Sequence, residues 1–174
     1  MHVAELGAGM PVSQLHFGGG TPTFLSDEEL DRLMADLRGA FRFEPDAEIS
    51  IEVDPRTATP QRLEKLPRLG FSRLSFGVQD FDARVQVAVH RVQSFEDVRD
   101  LMQSARALDY ASINVDLIYG LPLQTAESFA RTIAQVSALR PDRIALYAYA
   151  HLPERLQPPR RINPLHLADR ATRV

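Results

Sequence analysis

The segment His16-Phe17-Gly18-Gly19-Gly20-Thr21-Pro22-Thr23 places three glycines after a short apolar run. Glycine has no Cβ, so a ligand can approach the backbone closely there. A glycine loop at the carboxyl end of a strand is a place to hold a polar small molecule. Read alone, the segment also fits a tight strand-to-helix turn with no ligand. Further along, Glu52 and Asp116 are acceptors suited to ribose hydroxyls or an ammonium group. Arg91 offers a bidentate fork for a carboxylate. Gln79 can donate and accept. A nucleoside carrying an amino-acid moiety satisfies all of these groups together. Phosphate is less well served, because no Gly-Lys-Ser/Thr follows the glycines. Taken singly, the structural alternatives are a salt-bridged Glu52 or Asp116 and a surface Arg91.

Other chemistries are excluded by what the chain lacks. It contains no cysteine, so it forms no disulfide, presents no thiolate nucleophile and ligates no iron–sulfur cluster itself. His16, His90 and His151 do not form a metal-binding spacing. No Ser-His-Asp order points to nucleophilic catalysis. A net charge of −3 gives no overall basic footprint for nucleic acid. No segment reads as a transmembrane helix or a signal peptide, so a cytoplasmic location is expected. At 174 residues the chain is long enough for one domain with a real core.

The elements that must position these groups follow from periodicity. Strand-like runs fall at about 13–18, 47–53, 73–79, 112–119 and 143–150, with helical patterns between them. Ser26 with Glu29 reads as a capping box for a helix with a Leu30, Leu33, Met34, Leu37 and Phe41 stripe. Thr59-Pro60 starts a second helix, which Pro67 should kink or stop. A short helical piece is expected near 82–89. Ser94 caps another helix, with Phe95, Val98, Leu101, Met102, Ala105 and Leu108 inward. Thr125 to Leu139 carries a Phe129, Ile133, Val136 and Leu139 stripe. The tail from Pro153 is rich in proline and arginine and reads as extended, with a short helix near 164–171.

Alternation along each strand separates two faces. Ile49, Ile51 and Val53 oppose Glu48, Ser50 and Glu52, and Leu74, Phe76 and Val78 oppose Ser75, Gly77 and Gln79. Ile113, Val115 and Leu117 oppose Asn114 and Asp116. An open doubly wound sheet is apolar on both faces. A polar second face suits the inside of a parallel barrel, whose carboxyl-terminal mouth holds the active site. A solvent-exposed antiparallel sheet is the alternative, which the intervening helices oppose. Tyr119, Tyr147 and Tyr149 at strand ends read first as packing residues.

The ordered motifs His16-Phe-Gly-Gly-Gly-Thr-Pro-Thr23, Ile49-Ser-Ile-Glu-Val-Asp-Pro-Arg56, Leu74-Ser-Phe-Gly-Val-Gln-Asp-Phe81, His90-Arg91, Val115-Asp-Leu-Ile-Tyr-Gly-Leu-Pro122 and Tyr149-Ala-His-Leu-Pro153 resemble one family. It is the oxygen-independent coproporphyrinogen III oxidases (coproporphyrinogen dehydrogenases), radical S-adenosylmethionine enzymes. The resemblance covers about residues 12–162. A related haem-chaperone branch shares some motifs; Glu52-Val53-Asp54-Pro55 and Tyr149 to Pro153 favour the oxidase branch.

The resemblance implies a partial parallel (β/α) barrel, an α/β fold of about five strands. It implies two S-adenosylmethionine molecules, one of them over a [4Fe–4S] cluster. Reductive cleavage then gives a 5′-deoxyadenosyl radical that abstracts hydrogen from coproporphyrinogen III propionates. Decarboxylation yields protoporphyrinogen IX, with an electron donor as partner in the parent enzyme, and a monomer is expected. By motif position, Gly19 and Glu52 are expected at the cluster-bound molecule. Gly20, Thr21, Gln79, Arg91, Asp116 and Ala150 are expected at the second.

The family's Cys-x3-Cys-x2-Cys loop and first strand are expected upstream of residue 1, and its carboxyl-terminal domain after the barrel. The chain therefore reads as a lead-in (1–12), a partial barrel (13–152) and a tail (153–174), an internal piece inactive by itself. The alternative is a cluster-free module that binds S-adenosylmethionine or a tetrapyrrole without catalysis.

Overall fold

A computed structural model describes residues 9–150. The expected tail at 153–174, His151 and most of the lead-in lie outside the described residues. The strands are β1 (Pro11–Phe17), β2 (Arg42–Val53), β3 (Arg73–Gln79), β4 (Ser112–Tyr119) and β5 (Arg143–Ala148). The helices are α1 (Asp27–Ala40), α2 (Pro60–Lys65), α3 (Ala83–Ala88), α4 (Phe95–Ala107) and α5 (Ala126–Leu139). All neighbouring strands pair in parallel, in the order β1-β2-β3-β4-β5. The result is a five-stranded half-barrel with helical crossovers, as the strand–helix alternation predicts.

Local chemistry explains the helix starts. The Ser26 hydroxyl accepts the Glu29 amide at 3.2 Å, and Glu29 Oε2 accepts the Ser26 amide at 2.8 Å. Ser94 accepts the Asp97 amide at 3.0 Å, and Thr59 the Arg62 amide at 3.2 Å. Pro67 ends α2 as expected: the chain continues as a 3-10 turn over Leu66–Leu69 and stops at Gly70, with φ +92°.

Some edges differ from the sequence reading. β1 starts at Pro11 and β2 at Arg42, both earlier than periodicity suggests, because Pro11 and Val12 pair with Arg42 and Phe43. β5 ends at Ala148. Phe41 falls just after α1, and Leu33 is exposed. In α5 the inward stripe is Ser128, Thr132, Val136 and Leu139, while Ile133 is exposed. Thr132 is buried because its hydroxyl has a polar partner, described below, that period counting on apolar residues does not see.

The core lies between the sheet's outer face and the helices. Ile49, Ile51, Val53, Leu74, Phe76, Ile113, Val115 and Leu117 are all buried there, against Leu30, Met34, Leu63, Val98 and Met102. Phe17 and Phe71 meet edge to face at 5.3 Å. The opposite, concave face carries the polar residues. Register aligns them: Glu52 lies beside Ser75, Ser75 beside Asn114, Gly77 beside Asp116 and Ile118 beside Tyr147. No helix among the described residues is long and apolar enough to cross a membrane.

Candidate functional site

The carboxyl-terminal ends of the strands enclose a cavity of about 200 Å³. Gly19, Gly20, Thr21, Glu52, Gln79, Arg91 and Asp116 all line it. Ala150 does not: it lies exposed, two residues beyond β5. A second cavity of about 330 Å³ continues down the concave face and shares Glu52, Asp116 and Tyr147. Taken together, the two cavities suit a small organic molecule. Tyr147 thus faces the trough instead of packing, and the preceding alternation on β5 could have shown it.

Glu52 is half-exposed at the end of β2. Its Oε2 accepts the Gly19 amide at 3.2 Å, and its Oε1 lies 3.5 Å from His16 Nε2. His16 Nδ1 is in turn 2.8 Å from the Ser50 hydroxyl. Gly18 makes room for this pair: a Cβ there would come within 2.6 Å of His16 Nε2 and 2.8 Å of Glu52 Oε1.

Asp116 is 9% exposed. Its Oδ2 accepts the Ser75 hydroxyl at 2.7 Å and its Oδ1 the Asn114 amide at 2.7 Å. Burial raises its pKa above the ordinary aspartate value, against the lowering effect of these two hydrogen bonds. No Arg or Lys ion pair to Glu52 or Asp116 exists among the described residues. The salt-bridged alternative is thereby removed for Asp116, while Glu52 keeps the His16 imidazole at 3.5 Å as its ionic neighbour. The Asp116 charge, burial and Glu52 together raise the pKa of Tyr147.

Gln79 has φ +66°, a conformation rare for a residue with a side chain. The register of β3 against β4 slips at this point, and the Asp80 amide donates back to the Val78 carbonyl at 2.8 Å. Such local strain persists only where its surroundings hold it. Here Asp80, 1% exposed, does the holding. Its Oδ1 accepts from the Thr132 hydroxyl and the Asp82 amide, both at 2.7 Å, and its Oδ2 from Gln124 Nε2 at 2.5 Å. Gln124 Oε1 accepts the Gly120 amide at 2.6 Å, so the loops after β3 and β4 are tied together. Sequence reasoning missed this network. Its members lie on three separate segments, and none has an apolar period.

Arg91 is only partly exposed. Burial lowers its pKa, with the Asp54 charge opposing that effect. Its Nη2 lies 3.4 Å from Asp54 Oδ2, and its Nε is buried with no hydrogen-bond partner. Gln79 Oε1 is likewise buried and unpartnered. Buried polar groups are ordinarily paired. An unpaired donor and an unpaired acceptor on the wall of one cavity fit a ligand carrying both a carboxylate and an amino or hydroxyl group. S-adenosylmethionine meets that description. An iron–sulfur cluster does not fit: residues 1–174 offer no cysteine, and no His/Cys/Asp/Glu trio able to hold a metal exists among the described residues.

Comparison with known proteins agrees with this geometry. Residues 1–136 match the Radical SAM superfamily. The chain belongs to that superfamily. It is 55% identical over 154 residues to the oxygen-independent coproporphyrinogen III oxidase of Pseudomonas aeruginosa, covering 87% of this chain and 34% of that protein. It is 54% identical over 153 residues to the Escherichia coli oxidase, covering 88% of this chain and 34% of that protein. The solved E. coli coproporphyrinogen III oxidase, described as a radical SAM enzyme, superposes with a TM-score of 0.91 at 49% identity. That match covers 98% of this chain and 39% of the other. The Kitasatospora setae radical S-adenosylmethionine methyltransferase TsrM shares the fold, with a TM-score of 0.64 at 14% identity. The chain thus spans about one third of the length of the curated relatives it matches.

Proposed function

We propose that this chain forms the S-adenosylmethionine-binding half-barrel of an oxygen-independent coproporphyrinogen III oxidase, with the cluster's thiolates supplied from outside residues 1–174. The partial barrel of 13–152 is the binding unit in this reading, and the activity is the oxidative decarboxylation of coproporphyrinogen III in haem biosynthesis. The observation that carries the reading is the mouth cavity. There Arg91 Nε and Gln79 Oε1 stand unpaired beside the buried Asp116 carboxylate.

Each residue has a role its chemistry supports. Arg91 takes the ligand's carboxylate. Asp116, pre-oriented by Ser75 and Asn114, accepts from hydroxyls. Glu52, held by the Gly19 amide and His16, accepts from an ammonium group. Gly20 and Thr21 bring backbone close to the ligand, and Gln79 both donates and accepts. Two ligand molecules divide these contacts: Gly19 and Glu52 serve one, the remainder the other. The protein acts in the cytoplasm as a monomer, and an electron donor serves the parent enzyme.

A second reading, a cluster-free module that binds S-adenosylmethionine or a tetrapyrrole, is favoured by one observation, the absence of cysteine. Calorimetric titration of S-adenosylmethionine tests the shared claim. Asp116→Asn and Arg91→Ala should each weaken binding at least tenfold, about 1.4 kcal/mol or more. Unchanged affinity in both variants contradicts the site. Ligand cleavage after iron–sulfur reconstitution in the presence of a reductant supports the enzyme reading, and binding without cleavage supports the module.

A further inference from the structure

We propose that Asp54 is a positioning residue for the carboxylate-binding fork of Arg91, held in place by Arg56; this rests on the ligand reading above. Asp54 directly follows β2 and is 6% exposed. Its Oδ1 accepts the Arg56 amide at 3.1 Å and Arg56 Nε at 2.9 Å. Its Oδ2 accepts Arg56 Nη2 at 2.6 Å and lies 3.4 Å from Arg91 Nη2. One carboxylate oxygen therefore sits between two guanidinium groups.

Arg56 reaches further. Its Nη1 donates to the carbonyl of His90, at 3.2 Å, the residue immediately before Arg91. The same side chain thus ties Asp54 to the backbone that carries Arg91. On the other side, bare backbone lets the fork settle. A Cβ at Gly77 would lie 3.4 Å from Arg91 Nη2 and 3.1 Å from Gln79 Nε2. The fork is steadied through Nη2 while Nε stays unpaired.

Charge explains why the aspartate is needed. Arg56 and Arg91 converge and repel each other. One buried carboxylate cancels one of the two charges, leaving the group with a single positive charge. Without it, Arg91 is free to turn toward solvent, away from the cavity.

The test compares two neutral adenosine thioethers. S-adenosylhomocysteine carries the amino-acid group and 5′-methylthioadenosine lacks it. With the full chain, Asp54→Asn should weaken S-adenosylhomocysteine at least tenfold and change methylthioadenosine less than twofold. Arg56→Gln, which removes the group that holds Asp54, should weaken S-adenosylhomocysteine about threefold to tenfold and change methylthioadenosine less than twofold. Equal loss of both ligands in Asp54→Asn overturns the proposal, as does an Arg56→Gln ratio unchanged from the unaltered chain. A readout without ligand is the NMR signal of the Arg91 Nε–H group, assigned with Arg91→Lys. A signal protected from solvent exchange that becomes fast-exchanging in Asp54→Asn supports the positioning role, and an unchanged signal overturns it. If the unaltered chain binds neither thioether, the ligand reading fails, and the Arg91 signal still decides the role of Asp54.

Discussion

Asp54 and Asp116 are both buried carboxylates, yet their surroundings move their pKa values in opposite directions. Burial raises Asp54, but hydrogen bonds from Arg56 and the charge of Arg91 outweigh it, and the net value falls below 3.8. Asp116 has only neutral donors, and burial prevails, so its value lies above 3.8. The linkage signs follow. The ionised Asp54 contributes stability that is present above pH 3.8 and lost as pH falls through its lower folded-state value. Asp116 contributes stability that is present below pH 3.8 and lost as pH rises through its higher folded-state value. Thermal unfolding across pH checks both. Asp54→Asn should cost about 1–3 kcal/mol at neutral pH, below the range for a fully buried pair because Arg56 and Arg91 are each about one third exposed. That deficit should shrink in acid. The stability of the unaltered chain relative to Asp116→Asn should instead decline as pH rises from 3.8. The same pH trend in both variants contradicts the assignment of causes.

At the scale of elements, the helices and strands deliver side chains to the mouth, and the loops fix their conformation. The glycine run after β1 shows how. Gly18 leaves space for the ends of His16 and Glu52, both flexible side chains. Gly18→Ala should therefore displace Glu52 from the Gly19 amide and weaken S-adenosylmethionine binding about fivefold to tenfold. The unfolding free energy should fall by less than about 1 kcal/mol, since the two side chain ends can move aside. A large stability loss with unchanged affinity contradicts this account. Strand alternation made the concave polar face legible in sequence, because Glu52, Ser75, Asn114 and Asp116 all follow the period of two. Caps at Ser26 and Ser94 were equally legible, since each hydroxyl sits just before its helix, while Thr59 and Thr125, read only as helix starts, also cap. The left-handed Gln79, the Asp80 network and the Asp54 triad were not. They depend on contacts between loops distant in sequence, and a buried Thr132 or Gln124 looks in sequence like any surface polar residue.

For the whole molecule, the half-barrel is closed on one side and open on the other. The convex faces of β2, β3 and β4 are buried under helices. On β5, Ile144 and Leu146 are exposed among the described residues. β1 and β5 are the two edges of the sheet. The trough between them presents carboxylates at its centre and the Arg91 fork at its rim, a polarity that matches a zwitterionic nucleoside and not a phosphate. The central claim is that this trough takes an S-adenosyl ligand through those groups. A crystal structure of the chain grown with S-adenosylhomocysteine tests it most directly. The ligand should lie in the mouth cavity, its carboxylate within hydrogen-bond distance of Arg91 and its ribose hydroxyls at Asp116. A ligand seated elsewhere, or an empty cavity at saturating concentration, contradicts it.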